Sequence, residues 1–335
     1  MKDVISLAHG GGGRASQQLI QDVFLKSFSN PYLMEYADGA VIPFGEQRLA
    51  FATDSYTVIP LKFPGGSIAS LAVNGTVNDL CMVGGIPQYL SAAFVIEEGF
   101  SLTLLQELVE LMATSAKQAG VQIVTGDTKV LPRNQMDGLV INTAGIGVVE
   151  KSVQLGRNKV RPGDHILING TIADHGITIL TARENLGGLD SLASDCAPLT
   201  PMIPALLKEF PSIAFLRDPT RGGVAAVLNE LVEGMAFGAV IQEEFIPVHP
   251  AIRQQCDLLG IDPLYVANEG KVILVCPPED SAAIVERMRS YEVGQQASVI
   301  GKITEKNKGR VYFETLYGSF RKVDMPQHQQ IPRIC

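Results

Sequence analysis

The chain contains no tryptophan, and aromatic residues make up only 6% of its 335 residues. Its interior must therefore be assembled from Val, Ile, Leu and Ala through many small contacts. It also lacks a Cys-x-x-C pair. Five cysteines, Cys81, Cys196, Cys256, Cys276 and Cys335, lie far apart, which excludes a disulfide framework and a zinc site and fits a reducing compartment. Four of them sit in apolar or mixed segments, as small buried hydrophobes do; Cys335 is the last residue. Long apolar runs are missing too: Asn74, Asn78 and Asp79 break up 67–83, so no membrane span is expected. The opening MKDVISLAHGGGG has a glycine cluster where a signal peptide has its apolar run, and a cytoplasmic location is expected. With a formal net charge of −8 and no block of Lys and Arg, the surface is unsuited to nucleic acid or anionic membrane. Two phosphate-binding motifs are absent as well, the P-loop and a G-x-G-x-x-G that leaves a strand to open a helix.

What is present is a globular composition, 46% hydrophobic and 19% charged with 33 Gly and 19 Pro, over a length that favours two domains. After the glycine cluster, apolar periodicity predicts helices near 15–28, 67–83 and 102–119, and Ser67 and Ser101 stand where N-caps belong. Strand-like runs fall at 48–53, 89–96, 121–125 and 139–149. The polar stretch 150–164 reads as a linker. Beyond it, a second unit has strands near 165–169, 239–242, 271–276, 297–303 and 310–315, with helices near 175–185, 201–209, 222–233 and 249–259. The alternation predicts an α/β class. The expected division is an N-terminal domain at 1–155, a C-terminal domain at 156–322, and a flexible tail at 323–335 whose two prolines and scant apolar content suit neither helix nor central strand.

The tail carries the first chemical feature. A terminal thiol on a Pro-spaced arm can travel between sites and is a good nucleophile where exposed; the bland alternative is a cysteine at a frayed end. A second feature is a set of carboxylates beside small residues: Asp38 in EYADGA, Asp54 in ATDS, Asp79 in VNDL and Asp127 in TGDTK. Hard oxygen ligands with room around them suit Mg²⁺ on phosphates, although any one of these can be a cap or network residue. Asn74 and Asn78 share a helix face at i, i+4 and need partners if buried. In the second half, RDPTRGG at 217–223 sets Asp218 and two glycines ahead of a helix, a corner able to hold Mg-phosphate. Glu269 and Lys271 lie at the mouth of a strand, where a loop-to-strand turn explains the local sequence equally well. His175 opens a helix, a position more often given to packing or capping than to catalysis.

Taken in order, TGDTKV (125–130), NTAGIG (142–147), DHG (174–176), SDCAPLTP (194–201), RDPTRGG (217–223), ANEGK (267–271) and the closing PRIC (332–335) resemble the HypE family of hydrogenase maturation factors. That family belongs to the superfamily of aminoimidazole ribonucleotide synthetase, selenophosphate synthetase and thiamine-monophosphate kinase. The resemblance runs from His9 to Cys335. It implies a two-domain synthetase-type α/β fold, a homodimer whose N-terminal sheets pair into a barrel, a C-terminal α/β sandwich, and ATP with Mg²⁺ in the cleft. It also implies a reaction. A carbamoyl group placed on the terminal cysteine by HypF is dehydrated to a thiocyanate at the expense of ATP, and cyanide passes to iron held by HypC–HypD. Amide oxygen is a poor leaving group, and transferring the γ-phosphoryl group to it lets it depart as phosphate. By motif match, Asp38, Asp79 and Asp218 hold Mg²⁺, while Asp54, Asp79, Asp127, Gly126 and Asn142 bind the nucleotide. Cys335 carries the group, Lys129 and Glu269 orient it and move its protons, and His175 adds polarity. In EYADGA, Asp38 stands as a single acid where relatives often carry two adjacent acids.

Two other readings compete. A small-molecule kinase or selenophosphate synthetase would share the fold, but the former has no use for a terminal thiol and the latter needs a cysteine near the glycine cluster, whereas none precedes Cys81. A nucleotide-binding scaffold would keep its partners after loss of Cys335.

Overall fold

The structure, a computed structural model, describes residues 4–11, 13–28, 30–186, 192–326, 331 and 334–335. Near the N-terminus, α1 (Arg14–Leu19) runs through a wide turn into α2 (Leu25–Phe28). Five strands then build the first sheet: β1 (Ala40–Phe44), β2 (Gln47–Tyr56), β5 (Gly85–Glu97), β6 (Gln122–Leu131) and β7 (Leu139–Val149), in the order β1-β2-β7-β5-β6. A small hairpin, β3 (Lys62–Phe63) with β4 (Gly66–Ser67), leads into α3 (Ile68–Met82), and α4 (Leu102–Ala119) follows β5. Only β5 and β6 are parallel, joined across α4; the other neighbours are antiparallel. The alternation that reads as βαβ therefore describes a single unit inside a mostly antiparallel sheet.

Local chemistry explains the helix starts. The Ser67 hydroxyl accepts the Ser70 N–H at 3.2 Å, and that of Ser101 accepts the Leu104 N–H at 3.3 Å, which satisfies donors a helix leaves free at its first turn. In β2, Ala50, Ala52 and Tyr56 are buried against α3 while Phe51, Thr53 and Ser55 face outward, the period-two pattern of a sheet covered on one side.

The second sheet has seven strands: β8 (His165–Ile168), β9 (Phe215–Arg217), β10 (Gly238–Gln242), β11 (Ile273–Cys276), β12 (Ser298–Thr304), β13 (Val311–Glu314) and β14 (Phe320–Val323). Their order is β14-β13-β10-β12-β8-β11-β9. It packs with α5 (Asp174–Arg183), α6 (Ile203–Glu209), α7 (Gly223–Val232), α8 (Pro250–Leu259) and α9 (Pro278–Arg289). Sequence periodicity alone misses β1, β9, α9 and β14. The first two sit beside loops whose polar residues mask a short strand, and α9 has a mostly charged exposed face.

The 150–164 stretch is packed rather than loose. Val153 and Val160 are buried, and the Gly156 N–H donates to the Ala214 carbonyl at 2.9 Å. The tail also differs from expectation at its ends. Val323 pairs with Val311, and Ile331 and Ile334 are each 3% exposed within the N-terminal domain's core, which also takes in Ala173 and Ile177 of the C-terminal half. Tail residues 327–330 and 332–333, like Gly12 of the glycine cluster, lie outside the described residues.

Candidate active site

Three ends of elements converge between the domains. Asp38 precedes β1, Asp79 lies in the last turn of α3, and Asp218 follows β9. One carboxylate oxygen from each falls within 4.8 Å of the others. Burial is the first cause that raises all three carboxyl pKa values; Asp218 and Asp38 then raise that of Asp79, and Asp38 raises that of Asp218. Asp38 is pushed up to about 6 even though Arg217 Nε lies 2.8 Å from its Oδ1. Its other oxygen, Oδ2, is buried with no hydrogen-bond partner among the described residues. A divalent cation fits this group: it meets hard oxygen donors, relieves their repulsion, and gives the orphaned oxygen a partner. Arg217 also holds Glu230 at 3.1 Å, which fixes the guanidinium on one side of the acids.

Asp54 is on the α3 side of β2, in step with Ala52 and Tyr56. Its pKa is raised by burial, and the charge of Arg221 opposes that rise. Glu269, in the loop before β11, is buried. Its pKa is raised well above the ordinary value by burial, then by Asp195, Asp218 and Asp54. The loop is held from both sides. The Glu269 N–H donates to Asp195 Oδ1 at 3.2 Å, and the Glu269 carbonyl accepts from Asn78 Nδ2 at 3.0 Å. A side chain at Gly270 would put its Cβ 2.1 Å from the Asp195 carbonyl oxygen, so only glycine permits this approach.

Cys335 is docked beside these groups. The Thr57 N–H and hydroxyl both donate to one oxygen of its terminal carboxylate, at 3.0 and 3.2 Å. Its thiol is pushed up to about 12, by burial first, with Glu269, Asp54 and Asp218 adding to the rise and Arg221 opposing it. The docked sulfur is therefore a protonated thiol. His175, expected to supply site polarity, uses both ring nitrogens. Nε2 lies 2.6 Å from the Ile334 carbonyl, and Nδ1 lies 2.8 Å from Ser194 Oγ. Because a carbonyl only accepts, Nε2 carries the proton. Burial lowers the His175 pKa, which keeps the ring neutral.

The expected residues thus fall into two groups. Asp38, Asp54, Asp79, Asp218, Glu269, His175 and Cys335 come together between the domains. Asn142, Asp127 and Lys129 lie on the other face of the N-terminal sheet: Ser55, Asn142, Ala93 and Asp127 form one row across the strands, and Lys129, two residues along, faces the same way. Asn142 Nδ2 donates to the Asp54 carbonyl at 2.8 Å and to Ser55 Oγ at 3.0 Å. At Gly126, an added Cβ would come 2.1 Å from the Ala92 carbonyl oxygen, so the glycine serves close strand approach. Sequence reading missed Arg217 and Arg221, although both stand in RDPTRGG, and it missed Thr57 and Asp195.

The geometry has counterparts among known proteins. Residues 36–149 match the N-terminal domain of AIR synthase related proteins and residues 161–314 their C-terminal domain. The carbamoyl dehydratase HypE of Azotobacter vinelandii is 45% identical over 331 residues, 99% of this chain and 97% of that protein. Among solved structures, a HypE–HypF complex superposes with a TM-score of 0.87 at 44% identity, covering 92% of this chain and 99% of the other. HypE in complex with ATP gives a TM-score of 0.83 at 43% identity, covering 99% of this chain and 100% of the other. On this evidence the chain belongs to the HypE family, within the AIR synthase related proteins.

Proposed function

We propose that this protein is an ATP-dependent carbamoyl dehydratase that converts an S-carboxamide on its own Cys335 into a thiocyanate, supplying cyanide for the iron of a [NiFe]-hydrogenase. The observation that carries the reading is the docking of Cys335 among Glu269, Asp54, Asp218 and Arg221, beside a three-carboxylate cluster. Relatives named carbamoyl dehydratase along the whole chain, and a relative solved with ATP, support it.

Asp38, Asp79 and Asp218 would hold Mg²⁺, which neutralises phosphate charge during phosphoryl transfer. Arg217 orients Asp38. Arg221 presents positive charge toward Cys335, which suits the phosphoryl oxygens brought there as the amide oxygen attacks the γ-phosphorus and ADP leaves. Glu269 is the candidate base for the amide nitrogen's proton, and a cation held by Asp218 would oppose the rise in its pKa and favour the carboxylate that accepts that proton. Partial burial of the sulfur keeps water from the intermediate.

Lys129, Asp127 and Asn142 enter the reading through a homodimer. The open sheet face exposes Phe51, Ile86, Tyr89 and Ile146, each at least 39% accessible, an apolar surface that a second copy would cover. Lys129 on that face would then serve the partner's site. HypF loading is supported by the relative solved in complex with it, and transfer to HypC–HypD rests on the family resemblance. Loading would require the tail to leave the pocket, since the docked thiol is protonated. Among the described residues no helix is long and apolar enough to cross a membrane.

The test is the mass of the C-terminal peptide after incubation with the carbamoyltransferase, its substrates and ATP. Loss of one water from the carbamoylated peptide supports the reading; a carbamoyl adduct that persists with ATP present sinks it. Asp79→Asn is expected to weaken Mg-ATP binding by more than about tenfold in calorimetry, and unchanged affinity would remove Asp79 from the metal site.

A further inference from the structure

The tail enters the pocket held by its main chain rather than by its sulfur. One oxygen of the terminal carboxylate of Cys335 takes two hydrogen bonds from Thr57, and the Ile334 carbonyl takes one from His175 Nε2. The ring is set by Ser194, whose hydroxyl lies 2.8 Å from Nδ1 and also accepts the Cys196 N–H at 3.1 Å. The Ser194 N–H in turn donates to the Pro64 carbonyl at 2.8 Å. Phe63 packs edge-on against the imidazole, with ring centroids 5.7 Å apart. Between these two clasps the Ile334 side chain is buried in the shared core. His175 and Ile334 are buried and their bond is shielded from water, the setting in which losing one partner is costly.

We infer that Thr57, His175 and Ser194 form a latch that reads the backbone of the last two residues, placing the Cys335 side chain in register whatever group its sulfur carries. This deepens the proposed function, on which it rests for its purpose. The sulfur passes through thiol, carboxamide and thiocyanate states of different size and polarity. A grip on the sulfur would favour one of them, whereas a grip on the Ile334 carbonyl and the terminal carboxylate is indifferent to all three and returns each to the same place. His175 is on this view a positioning residue: with one nitrogen on Ile334 and the other on Ser194, neither is left to move a substrate proton.

The test uses the full-length protein and needs neither ATP nor carbamoylation, so it can fail while the dehydratase reading stands, and the reverse. Cys335 is alkylated with iodoacetamide, and its modification is followed by the mass of the peptide released by cleavage before Asp324. Cys81 and Cys276, both fully buried, report global opening in the same sample. His175→Phe, Ser194→Ala and Thr57→Val should each speed Cys335 modification by about tenfold or more, the factor that about 1.4 kcal/mol of lost docking gives, with Cys81 and Cys276 still slow. His175→Gln, which keeps a donor, should fall between His175→Phe and wild type. The same ratios should appear when Cys335 carries a methylthio cap and its removal by a phosphine is timed. An unchanged Cys335 rate, a rise shared by the core thiols, or ratios that vanish once the sulfur is capped would overturn the proposal. Thr57→Val removes only a hydroxyl from a partly buried position, so it keeps the test open if a change at His175 prevents folding.

Discussion

Burying carboxyl groups without enough positive charge forces them to keep protons, and Asp174 shows the consequence away from the metal cluster. Its pKa is raised to about 6, by burial first and Asp195 next, with Lys271 opposing. Lys271 Nζ sits 3.1 Å from Asp195 and 4.0 Å from Asp174, so one ammonium serves two acids. A pKa above the unfolded value means that the folded state binds the proton more tightly. The stability this contributes is complete below about pH 4 and is lost as pH rises through about 6. Asp174→Asn should flatten the urea-unfolding profile across that window relative to wild type; an unaltered slope would show that Asp174 does not titrate there. Individual residues such as Asp38, Asp79, Asp218, Glu269 and Cys335 were legible from sequence by their motifs. Arg217 and Arg221 stood in the same motif and were passed over, because a charged residue becomes a site residue only when it is known what it faces.

Among the elements, α3 ties the site together. It was legible as a helix from its apolar content and the Ser67 cap, and its asparagines were legible as groups in need of partners. The identity of those partners was not. Asn78 reaches across to the C-terminal domain, donating to the carbonyls of Ala197 and Glu269 at 3.1 and 3.0 Å and accepting the Leu199 N–H at 2.8 Å. Asn78→Ala would strand these buried groups, and at about 1–3 kcal/mol for each unpaired one it should lower unfolding free energy by at least about 2 kcal/mol. A loss below about 0.5 kcal/mol in denaturant titration would show that water replaces the amide. The turn into α5 carries a related constraint. Ala173 has a left-handed backbone, φ 73°, and its N–H donates to Asn268 Oδ1 at 2.8 Å, so the NEGK loop holds a strained residue next to His175.

At the scale of the whole molecule, the proposed function rests on two surfaces. The open face of the N-terminal sheet is one, and Phe51→Glu combined with Ile146→Glu should convert a dimer to a monomer in sedimentation velocity; a wild-type monomer, or a dimer that survives both changes, would contradict the pairing proposed for this face. The seam that takes the tail is the other. Burying Ile331 and Ile334 there contributes about 1.5–3 kcal/mol each, and the hydrogen bonds from Thr57 and His175 to the last two residues add to it.

The sequence by itself determined the elements that local chemistry governs: capped helices, alternating strands, the acids flanked by small residues, and a final cysteine beyond the last strand. Only the family resemblance singled out Asp38, Asp79 and Asp218 as a set; local pattern could not, because they are far apart along the chain and approach within 4.8 Å only when β1, α3 and β9 pack. Nor could it show that Asp127 and Lys129 point away from that cluster, since a strand's alternation fixes which residues share a face but not which face meets the pocket. The docking of the tail's last residues is a tertiary matter for the same reason. Its few apolar residues are too sparse to form structure alone, and only the completed seam between the two domains gives Ile331 and Ile334 somewhere to go.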